Sequence, residues 1–546
     1  MQVRNQNKKI FAYLFFVFIS FSFFLTFVLA QPQISFGHLA KNIYLYIIDE
    51  GRWVSLQDAF DEGLFCCGGQ EVNGSEGLGN LRINSVVQTG HGNTVCVIRE
   101  DKKVSCTGYN AHGQIGIGDK VRRTSFKENP YLSNVTKLTA GMLYFCALYN
   151  DSGLGKVKCW GNNDRGELGV GDTSHRLIPT SVSGLENGVI DIQARKGYNG
   201  EDYVENTCAL TIGGRIYCWG YNNNNHGTLG NGQSGSKSHP TLVEGIVRAK
   251  KFVLGGHSTG GYGCALLDNG TVMCWGYNGF GQLGTGTTVS AKTSVTVMNG
   301  PFPLQNVVDI IATGSDYGTT CALIRDGTVM CWGFNRYGQV GSGDKRNDYI
   351  SNPTLVKNIG GSNPKAIKLV TGGAGVYTSF CAILEDKTVK CWGANNHGRI
   401  GLGQGVCGSI QGCGCKQNNN DKICYSEPTS VSGLNDIKEI QLNGWGEYGY
   451  GCAIKNNGDI LCFGLNNNGQ LGLGDRITRF VPTKLNVNFQ ADSLFLMGDI
   501  GNGKHGYYST FVSSKGDKTL RVWGYNLFGQ LGTGDTNVYT SPTKPV

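Results

Sequence analysis

The chain has 546 residues, of which 84 are glycine and only 16% are charged, a composition that argues against long helices and for many turns. Its formal net charge is +8, but Arg4, Lys8 and Lys9 sit at the extreme N-terminus, and the +5 that remains is scattered along the chain. That gives no electrostatic footing for nucleic acid as a partner.

In chain order, Arg4, Lys8 and Lys9 precede an apolar run over residues 10–30, which ends in Val28-Leu29-Ala30 before polar Gln31. This pattern predicts a secretory signal peptide over 1–30, with an uncleaved membrane anchor as the alternative because the run is long. In either case the remainder faces an oxidising compartment, secreted or at the cell surface. Residues 31–81 form an N-terminal segment that contains Cys66, Cys67 and the sequon at Asn73.

From residue 82 onward the chain repeats itself. The clearest copies pair Cys264 with Cys274 and Cys321 with Cys331, each second cysteine opening the pattern Cys-Trp-Gly-x-Asn-x-x-Gly-Gln-x-Gly. Others run through Cys208/Cys218, Cys381/Cys391, Cys452/Cys462, Cys146/Cys159 and Cys96/Cys106, and an eighth copy around Trp523 has lost both cysteines. The shared glycines Gly108, Gly161, Gly220, Gly276, Gly333, Gly393, Gly464 and Gly524 are spaced by 53, 59, 56, 57, 60, 71 and 60 residues. Each copy reads as four short strands, A to D, exemplified by 307–311, Cys321–Ile324, Thr328–Trp332 and Pro353–Val356. Four short strands repeated at this period predict an all-β propeller over 82–546, with a four-cysteine insertion at 404–427.

The repeated motif resembles that of the regulator of chromosome condensation family. The resemblance covers nearly all of residues 82–546 and implies a propeller. The best-known members have seven blades, one of them closed by strands from both termini, whereas counting copies gives eight, so both numbers stay open here. The resemblance also implies guanine-nucleotide exchange on a small GTPase as one function, and inhibition of a secreted enzyme as another. A plant photoreceptor of the family uses tryptophans, but Trp160, Trp219, Trp275, Trp332, Trp392 and Trp523 recur at one blade position, as expected of inter-blade packing.

The cysteine spacing fits hairpin geometry. Pairing Cys264 with Cys274 inward leaves Asp268-Asn269-Gly270 as a three-residue turn with glycine in the left-handed slot; Lys102 and Lys387 hold that slot in two other copies. The cysteines then form a non-hydrogen-bonded pair with Cα atoms about 4.5 Å apart, within disulfide range. Seven such bridges are predicted: Cys96–Cys106, Cys146–Cys159, Cys208–Cys218, Cys264–Cys274, Cys321–Cys331, Cys381–Cys391 and Cys452–Cys462. In the last copy Thr510 and Val522 are assigned to the cysteine slots. Cys407, Cys413, Cys415 and Cys424 fall in the insertion, where two local disulfides compete with a zinc site whose knuckle spacing is absent. No metal or cofactor is expected.

The A–B and C–D loops share one propeller face. It carries Tyr198, Tyr203, Tyr317, Tyr377, Trp445, Tyr448 and Tyr507 as candidate ligand-binding residues, since rigid amphipathic rings are typical of recognition surfaces. Tyr144, Tyr262, Tyr450 and Tyr508, placed two residues before the cysteine slot, are better read as packing. The sequons at Asn134, Asn150 and Asn269 map to the opposite face, so glycans there leave the aromatic face open. No nucleophile motif, zinc-protease motif or phosphate loop is present, and the histidines are scattered through repeat loops. The expectation is a non-catalytic scaffold that binds a protein or glycan.

Overall fold

The computed structural model describes residues 83–546 except 90–92, 186–187, 198–203, 257–259, 315–316, 345–346, 374, 404–423, 499–506 and 516–518. In the N-terminal unit it describes the backbone of two antiparallel pairs, Gln2–Asn5 with Lys8–Phe11 and Tyr44–Ile47 with Arg52–Ser55. The expected cleavage point, Cys66, Cys67, Asn73, Tyr198, Tyr203, Cys407, Cys413 and Cys415 lie outside the described residues. Among the described residues no helix is long and apolar enough to cross a membrane.

Turn chemistry sets each hairpin. In the fourth repeat, strand A is Ala249–Gly255, B is Tyr262–Leu267, C is Val272–Gly276 and D is Ala291–Thr296. Cys264 pairs with Cys274, Ala265 with Met273 and Leu266 with Val272. The Leu267 amide donates to the Thr271 carbonyl at 2.9 Å, closing a turn in which Gly270 takes φ 80°. Lys102 and Lys387 adopt φ 62° and 63° in the same slot, a conformation that side chains with a Cβ reach only at a cost. The seven hairpin disulfides join Cα atoms 4.0–4.1 Å apart.

Among the described residues the same meander occurs eight times, each sheet ordered A-B-C-D. Blades 1 to 8 span 83–128, 135–181, 189–242, 249–296, 307–355, 366–430, 437–484 and 491–543. The number of blades is therefore eight. Each is drawn from one contiguous stretch, unlike the shared blade that the family resemblance implies.

The hydrophobic cores lie between blades. Each cluster combines residues of two neighbours, as where Cys264, Leu266 and Val272 of blade 4 pack with Ile310, Ala322 and Trp332 of blade 5. The last joins Met497, Phe511 and Val522 of blade 8 to Ile83, Val86 and Val97 of blade 1. A loop glycine after strand C reinforces every junction: Gly118, Gly171, Gly232, Gly286, Gly343, Gly403 and Gly474 each donate an amide hydrogen to a carbonyl in strand D of the next blade, at 2.8–3.0 Å. Gly534 donates to Thr124 at 2.8 Å and so closes the ring. The outer edge, strand D, carries a proline in six blades (Pro179, Pro240, Pro353, Pro428, Pro482, Pro542), which blunts edge-to-edge pairing.

The eighth repeat requires a correction. Phe511 faces Val522 in the cysteine slots, and Thr510 stands one place earlier, opposite Trp523. The hydroxyl of Thr510 donates to the Gln470 carbonyl at 2.8 Å, as those of Thr207 and Thr320 do to Glu167 and Gln282. That bond anchors Thr510 in the slot before the cysteine, and two large apolar side chains replace the disulfide. Tyr508 correspondingly stands three places before the slot.

Replacing Lys102 or Lys387 with glycine removes the left-handed strain, and each variant should gain about 0.5–1 kcal/mol in chemical denaturation. Gly270→Ala should lose a similar amount; no loss would show that the turn conformation is not limiting.

Candidate functional site

The glycine-rich loops after strand C serve the frame. Asn278 accepts the Leu283 amide at 2.9 Å through Oδ1 and donates through Nδ2 to the Thr287 and Val289 carbonyls at 3.0 Å. Asn110, Asn163, Asn466 and Asn526 accept the equivalent amide. The tryptophans complete the joint. Each is fully buried and donates its indole N–H to a carbonyl in the preceding blade: Trp160 to Gln114 at 2.7 Å, Trp219 to Glu167 at 2.8 Å and Trp523 to Gln470 at 2.8 Å. In the tryptophan slot of blade 1 the Thr107 hydroxyl donates to Gly529 at 2.8 Å instead. These indoles are structural.

The A–B and C–D loops carry rings in contact chains. Tyr277, Phe280, Tyr317 and Phe334 form one, with Tyr317 4.9 Å from both Phe280 and Phe334 between centroids. Tyr337 and Tyr377 are 4.8 Å apart, and Tyr507 stacks on Tyr525 at 4.3 Å. Of the candidate residues, Tyr317, Trp445, Tyr448 and Tyr507 are half-buried. Tyr377 is buried, with its hydroxyl donating to Glu447 at 3.2 Å. Tyr144, Tyr262, Tyr450 and Tyr508 are fully enclosed. Burial pushes the Tyr262 hydroxyl up to about 12.

Trp445 and Tyr448 share one element. Strands Ile437–Trp445 and Tyr448–Lys455 run nine and eight residues and pair through Trp445 and Tyr448, so the A–B connection of blade 7 is a tight hairpin with Gly446 and Glu447 at its tip. Neighbouring blades hold that tip from both sides. From blade 8, the Tyr508 hydroxyl accepts the Trp445 amide at 2.9 Å and donates to the Tyr448 carbonyl at 3.0 Å, and the Leu496 carbonyl accepts from Asn443 at 2.8 Å. From blade 6, the buried Arg399 donates to the Gly446 carbonyl at 2.7 Å and to the Tyr377 carbonyl, while His397 stacks on Tyr448 at 5.6 Å. Burial lowers Arg399 to about 10, and burial followed by the Arg399 charge lowers His397.

Arg399 was missed by sequence reasoning, although its signal was present: it replaces the glutamine of the Gly-Gln-x-Gly loop. At the same junction Phe463 replaces the tryptophan, so the indole bond gives way to an arginine clamp. Cys424 opens strand D of blade 6, Cys424–Ser430, and is disulfide-bonded, which removes it as a zinc ligand. Among the described residues no group of three or more metal-ligating side chains gathers. On the opposite face Asn134, Asn150 and Asn269 are exposed, and the Asn150 amide donates to the Asn134 carbonyl at 3.0 Å.

Fold and loops define a ring-closed, disulfide-stapled repeat propeller with aromatic rings among its A–B and C–D loops. The sequence signature described as Regulator of chromosome condensation (RCC1) repeat matches residues 155–194, 213–261, 326–381 and 457–491, and a second signature of that description matches 260–282 and 308–339. Repeats of the regulator of chromosome condensation family thus recur along the chain. It is 26% identical to the ultraviolet-B receptor UVR8 of Arabidopsis thaliana over 73% of this chain and 80% of that protein. It is 27% identical to the human E3 ubiquitin-protein ligase HERC2 over 62% of this chain, a match that spans 6% of the ligase. Among solved structures, Prp20p of Saccharomyces cerevisiae, described with its binding to Gsp1p and histones, superposes with a TM-score of 0.51 at 18% identity over 78% of this chain and 92% of that one. That likeness concerns the fold.

Arg399→Gln restores the usual loop residue but removes the clamp. Amide exchange at 445–448 should accelerate about tenfold, as expected for loss of a charged hydrogen bond of roughly 1.5 kcal/mol, while blades 2 to 5 stay unchanged. Unchanged exchange at the tip would show that blade 8 alone holds it.

Proposed function

We propose that this protein is a secreted or cell-surface, non-catalytic binding scaffold that takes a protein or glycan ligand on its A–B/C–D face. The observation that carries the reading is the blade 7 hairpin: two half-buried aromatic residues on a backbone that both neighbouring blades hold by hydrogen bonds, with the Tyr448 ring stacked on His397. Rings fixed before binding lose little freedom on contact, which is the condition under which aromatic anchors dominate an interface. Tyr317 and Tyr507 extend the same face, and we include Tyr198 and Tyr203 in it on their position in the chain.

Two further features support the extracellular setting. Seven disulfides staple the blades, and such bridges persist in oxidising compartments. The exposed sequons lie on the face away from the aromatic hairpin, where glycans would not cover it.

The test uses the full-length protein expressed with a C-terminal tag. The tagged protein should appear in the medium with its hairpin cysteines oxidised and should bind intact cells in flow cytometry. Trp445→Ala combined with Tyr448→Ala should reduce that binding at least about tenfold, the usual scale for truncating paired hot-spot aromatics, without altering the disulfide map. Equal binding by the double variant would reject the hairpin as the site; retention of reduced protein in the cytosol would reject the setting.

A further inference from the structure

The junction between blades 2 and 3 departs from the repeat in two slots at once. The loop residue that is glutamine at 114, 282, 339, 470 and 530 is Glu167 in blade 2. The residue three places before the first cysteine is Glu205 in blade 3, where the other cysteine-bearing blades have Asn93, Leu143, Gly261, Gly318, Thr378 and Gly449. Folding brings both carboxyls into one interface, and both are fully buried.

Their bonds cross the junction. Glu205 accepts the Met142 amide of blade 2 through Oε1. Glu167 accepts the Arg165 amide at 2.8 Å through Oε2, and its carbonyl receives the Trp219 indole at 2.8 Å and the Thr207 hydroxyl at 3.0 Å, both from blade 3. Thr207 and the Tyr144 hydroxyl are 2.8 Å apart. Among the described residues, one oxygen of each carboxyl, Glu167 Oε1 and Glu205 Oε2, is buried without a hydrogen-bond partner. Among the described residues, the charged and titratable groups facing the pair are Tyr144 on strand B of blade 2, Asp164 and Arg165 in the C–D loop of blade 2, and Arg195 and Lys196 at the end of strand A of blade 3. Arg195 directs hydrogen bonds to Asn206 Oδ1 at 2.7 Å and the Val204 carbonyl at 2.5 Å, and Lys196 donates to the Gln88 carbonyl at 2.8 Å. Two buried carboxyls with vacant oxygens resist ionisation.

We propose that Glu167 and Glu205 form a proton-loaded latch that holds blade 2 to blade 3 while both carboxyls keep their protons and loosens the junction when the first one ionises. Burial pushes Glu167 up to about 7, and burial followed by the neighbouring Glu167 raises Glu205 well above the ordinary carboxylate range. The folded pair is raised relative to the unfolded chain. Its contribution is therefore fully present below the ordinary glutamate value of 4.5 and is lost as pH rises through about 7. Other junctions with glutamine at the loop slot and no acid three places before the cysteine lack this dependence.

The test is hydrogen exchange of the intact protein from pH 5.5 to 8, with protection factors corrected for the intrinsic rate. In the wild type, protection of the Met142 amide should fall at least about tenfold across that range, the effect expected of one displaced carboxyl, while amides at the blade 4–5 junction hold steady. Glu167→Gln should flatten the profile. Should that variant fail to fold, Glu205→Gln, which keeps an acceptor for Met142, gives the same readout. A flat wild-type profile, a fall shared equally by the blade 4–5 junction, or an unchanged profile in a folded variant would overturn the latch.

Discussion

The structure depends on one joint, repeated around the ring. The loop after strand C gives a glycine amide to strand D of the next blade, and in six junctions it receives an indole hydrogen from that blade's tryptophan. The indole fills the gap between two sheets that share no backbone ladder, and burial of such a ring contributes roughly 2–3 kcal/mol. Its single donor would be stranded there without an acceptor. The loop supplies that acceptor because Asn278 and its counterparts fix the loop's own amides and carbonyls, leaving one carbonyl aimed outward. This also explains why glycines recur beside it: Gly230, Gly284 and Gly472 take φ near 70° with no room for a Cβ against Trp275, Trp332 and Trp523.

The joint makes departures informative. Where the slots follow the repeat, a junction keeps the shared hydrogen bonds and packing. At blades 8 and 1, threonine replaces tryptophan, and the ring still closes through Thr107 and the Gly534 amide. At blades 6 and 7, arginine and phenylalanine replace glutamine and tryptophan, and the altered joint positions a hairpin on the A–B/C–D face. At blades 2 and 3, glutamine becomes glutamate and a second glutamate comes beside it. A repeat frame supplies a baseline of equal interfaces, so an unusual side chain can be read against seven neighbours of the same geometry.

The hairpin register, the turn conformation at Gly270 and the strand order were legible in the sequence because they follow from local rules: a two-residue side-chain period and a glycine slot. Blade 8 shows where counting fails. Without cysteines to mark the strand, the sequence hides the register, which the strand ladder and the Thr510 hydroxyl bond reveal. The binding face was legible as a composition, but composition does not separate the enclosed Tyr377 from the half-buried Tyr448. Burial there depends on Glu447 and Arg399, which arrive from different blades.

The disulfides add a constraint that local reading does not reveal. Cys264 and Cys274 are fully buried, and they face the core shared with blade 5, beside Trp332. Each bridge therefore does two things: it staples its own hairpin and forms part of the next blade's packing surface. A reductant reaches it only after the junction opens, so thiol exchange and blade separation are one event. The reverse also holds. A blade whose bridge is open offers its neighbour two unbridged cysteines in that packing surface, so oxidation of one blade favours docking of the next. Blade 8 escapes this dependence by using Phe511 and Val522, whose packing needs no oxidant, and it is the blade that must close on blade 1 to complete the ring.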